Sequence, residues 1–493
     1  MNLLTLLDMT VAGHGDRVLL GTLQNGLTGF DLQQRARVGA AHVLDAHART
    51  VVYLGENGVG FPIALFAAST AGVPFLPLNY RLSREQLVDV IKAQDSPYVI
   101  SEDPSIAPEA ITVDDWLALT AGGAPEVTLP PEPDPDAEAV LLLTSGTTAA
   151  PKSAVLRHKH LASYVLDTVE FSGAADTDAV VVSVPPYHIA AVANLLSNLY
   201  TGRRIVYLDK FTPEGWLGTV AEQRVTHAMV VPTMLSRIVD ALEAGTESPT
   251  TLRSLSYGGA PLAPSILQRA LALLPGVGFV NAYGLTETSS SIAVLGPDDH
   301  RAAAASDDPA VRARLGSVGR PLPSVEIEIR DANDVPAPVQ QIGAIFVRGP
   351  QVAGEYRQGG SRVDANGWFP TRDEGYLDAD GYLFVKGRAD DTIIRGGENI
   401  APAEIEDVIQ QLPGVAEAVV VGIPDEEWGQ RIGAFVIPRP GADLSEDGVR
   451  AYVRSVLRSS KTPDVVTFVA ELPRTPTGKI LRRELIPATP PAP

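Results

Sequence analysis

Short apolar runs, mostly β-branched, punctuate the first half of the chain: VVYLG (51–55), AVLLLT (139–144), AVVVSVP (179–185), RIVYL (204–208) and HAMVVP (227–232). They do not alternate with polar residues, so each predicts a strand covered on both faces. Between them lie stretches with helical periodicity, such as SREQLVDVIKAQ (83–94) and PEGWLGTVAEQR (213–224). Buried strands alternating with helices predict parallel α/β layers. From about residue 316 the pattern changes. VEIEIR and GAIFVRG alternate, and GYLDADGYLFVKG predicts a hairpin about Asp380-Gly381, which together give a small antiparallel β unit. After GRADDTIIRGG (387–397), PAEIEDVIQQL predicts a helix with Pro402 near its start and acids in its first turn. VAEAVVVGIP and RIGAFVIP then supply strands for a small α+β domain. PPEPDPDAE (130–138) reads as a surface connector and the tail PATPPAP as disordered, and the chain carries no internal repeat.

A length of 493 residues calls for more than one domain. Lys and Arg number 39 against 59 Asp and Glu, a net charge of −20, which argues against nucleic acid and anionic lipid as partners. A phosphate-bearing ligand therefore needs a local site with metal or focused cations. Cysteine is absent, which removes thiolate metal sites and cysteine nucleophiles. MNLLTLLDMTVAGHGDR has no basic residue before Arg17 and predicts no signal peptide. The most apolar stretch, Phe61–Leu78, is broken by prolines, a glycine and a Ser-Thr pair. It predicts a buried helix ending near Gly72, then a core strand, rather than a membrane span. A soluble, cytoplasmic protein is expected.

Four segments carry candidate chemistry. LTSGTTAAPKS (143–153) offers Thr144, Ser145, Thr147 and Thr148 around Gly146, with Lys152 as a cation. Its register is that of a P-loop with Pro151 at the second glycine, and proline there removes an N–H and fixes φ. Taken alone, it is a phosphate cradle of another kind or a polar strand-to-helix turn. NAYGLTETSSS (281–291) places Thr286 beside Glu287, a donor next to a ligand for magnesium, though Thr-Glu also begins many helices. GWFPTRDEGYLDADGYLFVKGRADD (367–391) puts Asp373 in a turn, where a carboxylate could accept both hydroxyls of a ribose, with Arg388 in reach. Alone, the segment reads as a solvated hairpin with charged turns. LPRTPTGKILRREL (472–485) sets Lys479 after a Thr-Gly turn, and the plain reading of Lys479, Arg482 and Arg483 is an exposed basic face.

In this order, the four segments resemble the adenylate-forming superfamily of acyl- and aryl-CoA synthetases, adenylation domains and beetle luciferases. The resemblance spans roughly Leu19 to Leu485. It implies a large domain over 1–389, of stacked α/β subdomains plus the antiparallel unit. A small mobile domain over 390–493 follows, with Asp390 as the hinge. It implies two half-reactions: a carboxylate attacks the α-phosphate of Mg·ATP, and a thiol, that of coenzyme A, then displaces AMP. By similarity, Thr144, Ser145, Gly146, Thr147, Thr148 and Lys152 embrace the β- and γ-phosphates, Thr286 the α-phosphate, and Glu287 the Mg²⁺. Gly259, Ala260 and Pro261, with Asn281, Ala282, Tyr283 and Gly284, hold the adenine. Asp373 and Arg388 take the ribose, and Lys479 bridges carboxylate and phosphate. Ala149 and Ser153 stand where the family has glycine, which implies a stiffer loop.

His188 matches the family's histidine at the mouth of the acyl site. Ala190, Ala193, Asn194, Tyr257 and Gly258, with Tyr283, are expected to line the pocket for an aryl or short cyclic acid. Asn194 either bonds the acid or satisfies backbone at a helix start. His158 and His160 lack metal partners at useful spacing and flank the helix after the loop. Three other readings stand beside the CoA ligase. One is an acyl-AMP ligase serving a separate carrier protein. The others are a P-loop NTPase and a noncatalytic nucleotide binder. A monomer or homodimer is expected.

Overall fold

The computed structural model describes residues 1–493 except 145–151, 389–390, 396–397, 426–427, 458, 475–479 and 487–493. The apolar runs become strands because their branched side chains are buried on both faces. Thr50–Leu54, Phe75–Pro77, Pro97–Ser101 and Glu138–Thr144 pair in parallel, and every residue of the first is buried. Among the described residues they form one half of a seven-stranded sheet, with Pro97–Ser101 at its edge. A second sheet, of nine strands, has at its centre the parallel strands Arg204–Tyr207, Ala179–Val182, His227–Val230, Ser254–Gly258 and Gly278–Leu285.

The two faces of this second sheet belong to different cores. Val180, Val182 and Ile205 pack with the Gly60–Ala71 and Ile189–Thr201 helices. Val181, Val206, Val230, Leu255 and Tyr257 pack on the other side, under the Pro213–Glu222, Pro232–Glu243 and Pro264–Leu273 helices. The Gly60–Ala71 helix is buried along nearly its whole length and stops at Gly72, whose φ of 72° a side chain would resist. A core strand, Phe75–Pro77, follows as expected. No helix among the described residues is long and apolar enough to cross a membrane.

The alternating stretches form a four-stranded antiparallel sheet from Glu326–Arg330, Gly343–Arg348, Phe369–Leu377 and Leu383–Arg388. Its last hairpin turns where expected: the Asp378 carboxylate accepts from the N–H of Asp380 and of Tyr382, both at 2.9 Å, and Gly381 has φ 80°. The Pro402–Gln410 helix and the strands Val415–Asp425, Gly429–Pro438 and Val465–Phe468 build a separate core of Ile405, Ile409, Val420, Val436 and Val453. The expected junction, Asp390, lies outside the described residues.

Candidate active site

The Ser/Thr/Gly loop does not join a strand to a helix. Glu138–Thr144 is followed by a second strand, Lys152–Arg157, paired antiparallel to it with Leu141 opposite Val155 and Thr144 opposite Lys152. The His158–Thr168 helix begins only after that strand. A P-loop needs its helix directly after the loop, so that its N-terminal N–H groups face the phosphates. This correction removes the P-loop alternative on topology as well as on Pro151. Ser145, Gly146, Thr147, Thr148 and Ala149 lie outside the described residues. Ser153 sits within the second strand, buried and opposite Leu143, its N–H donated to Gln358 Oε1 at 3.0 Å. An extended residue needs no glycine there.

Thr286 and Glu287 begin no long helix. The strand Gly278–Leu285 ends in one tight turn, Thr286–Thr288, closed by the Leu285 N–H on Thr288 Oγ1 at 2.9 Å. The Glu287 carbonyl accepts from the N–H of Ala353 and Gly354 at 2.9 and 3.0 Å. Glu287 is only 9% exposed, and its carboxylate accepts from the Tyr356 hydroxyl at 2.5 Å. Tyr356 lies on a short strand opposite Ala154, so it ties the strand leaving the Ser/Thr/Gly loop to the Glu287 turn. Burial, then the neighbouring carboxylate, pushes its phenol up, so it remains a donor. The bidentate pair of Arg157 with Glu355, at 2.9 and 2.8 Å, fixes the same two strands. No local signal marks Tyr356, because its partner is 69 residues away in the chain.

Asp373 lies in the strand Phe369–Leu377, not in a turn, and is 5% exposed. Its place in the solvated reading of this hairpin is therefore corrected. Strand alternation points it inward, and the register sets Arg388 directly across. Arg388 Nε lies 3.1 Å from Asp373 Oδ1, and the Tyr283 hydroxyl donates to Oδ2 at 2.6 Å. Burial and the Asp373 charge push the Tyr283 phenol well up. Gly258 pairs with Ala282, and a Cβ at Gly258 would lie 2.2 Å from the Ala282 carbonyl oxygen. That close pairing brings Gly259, Ala260 and Pro261 beside Asn281, Ala282, Tyr283 and Gly284. Asn281 spends its amide on the Ser317 carbonyl, at 3.0 Å.

His188 caps the Ile189–Thr201 helix, its ring 4.7 Å from that of Tyr187. Burial pushes its imidazole down to about 4, and Nε2 has no partner among the described residues. Ala190, Ala193 and Asn194 follow on the helix. Asn194 does not serve the helix start: its carbonyl and Oδ1 both accept from Asn198 Nδ2, at 2.7 and 2.9 Å. Tyr257 is a correction. Its ring packs on the opposite side of the sheet from this helix, and its hydroxyl meets His300 Nε2 at 2.9 Å. His158 and His160 accept backbone N–H groups of Leu3 and Arg157, each at 3.3 Å, and burial holds both down to about 4. No group of metal-ligating side chains occurs among the described residues. Lys479 and Asp390 lie outside them. Arg482, read as part of an exposed face, instead pairs with Glu406 at 3.1 Å and Asp391 at 3.4 Å.

The AMP-binding enzyme family model matches residues 7–357, and the model of the AMP-binding enzyme C-terminal domain matches 404–479. The chain is 33% identical over 451 residues to the 2-succinylbenzoate–CoA ligase of Bacillus mycoides (strain KBAB4), covering 90% of this chain and 89% of that protein. It is 32% identical over 458 residues to the fatty acid–[acyl-carrier-protein] ligase ScoC of Streptomyces coeruleorubidus, covering 88% and 86%. Its fold superimposes on o-succinylbenzoate CoA synthetase (MenE) from Bacillus subtilis in complex with the acyl-adenylate intermediate OSB-AMP. The TM-score is 0.85 at 28% identity, over 98% of both chains. The same synthetase in complex with ATP and magnesium ion gives 0.84 at 28% identity, over 97% of this chain and 98% of that one.

Proposed function

We propose that this chain, which belongs to the AMP-binding enzyme family of adenylate-forming acid–thiol ligases, activates an aryl or short cyclic carboxylic acid and passes it to coenzyme A. In the first step a carboxylate oxygen attacks the α-phosphorus of ATP and the bond to pyrophosphate breaks. In the second the thiol sulfur bonds the acyl carbon, and AMP leaves with the electron pair. The substrate carboxylate is already ionised, so no general base is required. What the site must supply is charge complementarity between two approaching anions.

The observation that carries this reading is a pair of buried carboxylates, each held by partners of its own. Glu287 has one oxygen taken by Tyr356, which leaves the other for Mg²⁺. A single carboxylate plus phosphate oxygens suits that ion, and when bound it would neutralise charge developing on the phosphates. Asp373 is held by Tyr283 and Arg388 and is assigned to the ribose hydroxyls. Thr286 is assigned to the α-phosphate, Thr144 to Lys152 to the β- and γ-phosphates, and the 259–261 and 281–284 segments to the base. Lys479 is assigned to the carboxylate–phosphate junction and Asp390 to the hinge. His188 stands at the mouth of the acid site.

The test is carboxylate-dependent pyrophosphate release with Mg·ATP, using aryl, cyclic and fatty acids with and without coenzyme A. Pyrophosphate and AMP from one acid class, with a thioester product under turnover, is the expected result. Release that stops after one equivalent even with coenzyme A would assign the adenylate to a carrier protein. No release with any acid, despite ATP binding, would make the chain a noncatalytic nucleotide binder.

Two further outcomes follow from the geometry. Tyr356→Phe should lower kcat/KM for pyrophosphate release about tenfold, the loss of one hydrogen bond to a charged group. A fall that disappears at saturating magnesium would place the effect on metal affinity, and an unchanged rate would remove Tyr356 from the site. With its imidazole held down to about 4 by burial, His188 stays neutral at working pH. The adenylation rate should then carry no histidine limb between about pH 5 and 7. An inflection in that window that vanishes in His188→Gln would show that the ring charges during turnover.

A further inference from the structure

Arg482 stands three residues beyond Lys479, the residue assigned to the reacting atoms. Residues 475–479 lie outside the described part of the chain, but both ends of that segment are held. Arg474 and Ile480 form an antiparallel bridge, and the Leu481 N–H donates to the Pro473 carbonyl at 2.8 Å. Ile480 packs against the buried cluster of Val419, Val421, Ile423 and Leu472. The next anchor is Arg482 itself, whose side chain is 21% exposed.

Among the described residues, Val415–Asp425 is an edge strand of its three-stranded sheet, and its backbone needs partners on the open side. At the buried Val420 those partners are two side chains. The Val420 N–H donates to Glu406 Oε1 at 2.6 Å, and the Val420 carbonyl accepts from Arg482 Nη1 at 2.6 Å. Arg482 Nη2 donates to Glu406 Oε2 at 3.1 Å, so Glu406 and Val420 already neutralise and hold the guanidinium. Its Nε nevertheless lies 3.4 Å from Asp391 Oδ2. Arg482 does not need that contact; what the contact fixes is Asp391, the residue directly after the assigned hinge, Asp390. The following residue turns the other way. Thr392 Oγ1 donates to Glu374 Oε2 at 3.0 Å, on the strand that carries Asp373, and Ile393 then enters the core of Ile405 and Val420.

We infer that Arg482 is a positioning residue for Lys479, and that its pairing with Asp391 couples the lysine segment to the hinge. A rotation at residue 390 then moves Asp391, Arg482 and the lysine segment as one body. Three residues of chain span at most about 11 Å, and Ile480 and Leu481 within that span are themselves held, so a displacement of Arg482 reaches Lys479 with little slack. The inference rests on the assignments of Lys479 to the carboxylate–phosphate junction and of Asp390 to the hinge.

The test measures pyrophosphate release, thioester formation from preformed acyl-adenylate, and a melting curve for each variant. Arg482→Met should slow pyrophosphate release by about 10- to 10²-fold, the scale of a misplacement of about 1 Å at reacting atoms, and Arg482→Lys should recover part of it. Asp391→Ala leaves Glu406 and Val420 on Arg482, so its melting temperature should stay at the wild-type value while release slows by about three- to tenfold. Thioester formation from supplied adenylate should keep the wild-type rate in all three. The losses should not add: Asp391→Ala should not slow Arg482→Met further, and neither change should slow Lys479→Ala further. Additive losses, or equal loss in both half-reactions with a lower melting temperature, would make Arg482 a structural residue and overturn the inference. Should Arg482→Met not fold, Asp391→Ala decides alone and with Lys479→Ala, and release at the wild-type rate in Asp391→Ala overturns the coupling. Wild-type release in Lys479→Ala itself would instead remove the assignment beneath the inference, whatever the other variants do.

Discussion

Replacing Lys479 by alanine should slow adenylation by about 10²–10³, the cost of deleting one preorganised electrostatic donor from a transition state. The reason is the sign of the reactants. A carboxylate and the triphosphate of ATP repel each other, and the chain as a whole carries −20. The protein's bulk field therefore works against the encounter, and only local cations can reverse it. Arg388 is committed to Asp373 at 3.1 Å. Arg157 is committed to Glu355, and Arg482 to Glu406 and Asp391. On the proposed assignment, the burden at the reacting atoms falls on Lys152, Lys479 and the metal. Pyrophosphate release in Lys479→Ala at the wild-type rate would refute the role. A separate reading comes from supplying preformed acyl-adenylate. If Lys479 acts only in the first half-reaction, thioester formation from it should survive in the variant. Loss of both steps by the same factor would point to a small domain that no longer folds, which a melting curve would show.

What could be read from the chain beforehand followed physical range. The buried strands and the Asp380-Gly381 hairpin are set by neighbours in sequence, and they stand where the pattern puts them. The segment after the Ser/Thr/Gly loop misled because SAVLR, short and apolar, precedes a strongly helical stretch. Pairing with the strand before the loop, not local propensity, makes it a strand. From sequence, Asp373 reads as a turn residue. The strand's alternation, which buries it, depends on the partner carrying Arg388. Tyr257, expected to line the acid pocket, faces the opposite side of the sheet, and its ring packs in the other core. Tyr356 is invisible in the sequence because it gains meaning only from Glu287, which the fold brings to it.

Asp373→Ala should raise KM for ATP by about 10²-fold or more, since hydrogen bonds to a charged group contribute roughly 1.5–3 kcal/mol each and a ribose would bring two. The loss by itself is ambiguous. Removing the carboxylate also leaves the Arg388 guanidinium and the buried Tyr283 hydroxyl without their partner, and that alone could disturb the site. Nucleotide analogues separate the two causes through a cycle of protein and ligand changes. With wild type, 2′-deoxy- and 3′-deoxy-ATP should each bind more weakly than ATP by about one such bond, roughly tenfold. With Asp373→Ala the deoxy analogues should bind no worse than ATP, because the group that distinguished them is gone. If the variant still prefers ATP by the wild-type factor, the ribose is read elsewhere, and the carboxylate serves only to hold Arg388 and Tyr283 in place. Asp373→Asn sharpens the comparison. It keeps the shape and one acceptor oxygen, so a purely structural role predicts near-complete rescue. A ribose role predicts retention of one hydroxyl's discrimination and loss of the other's.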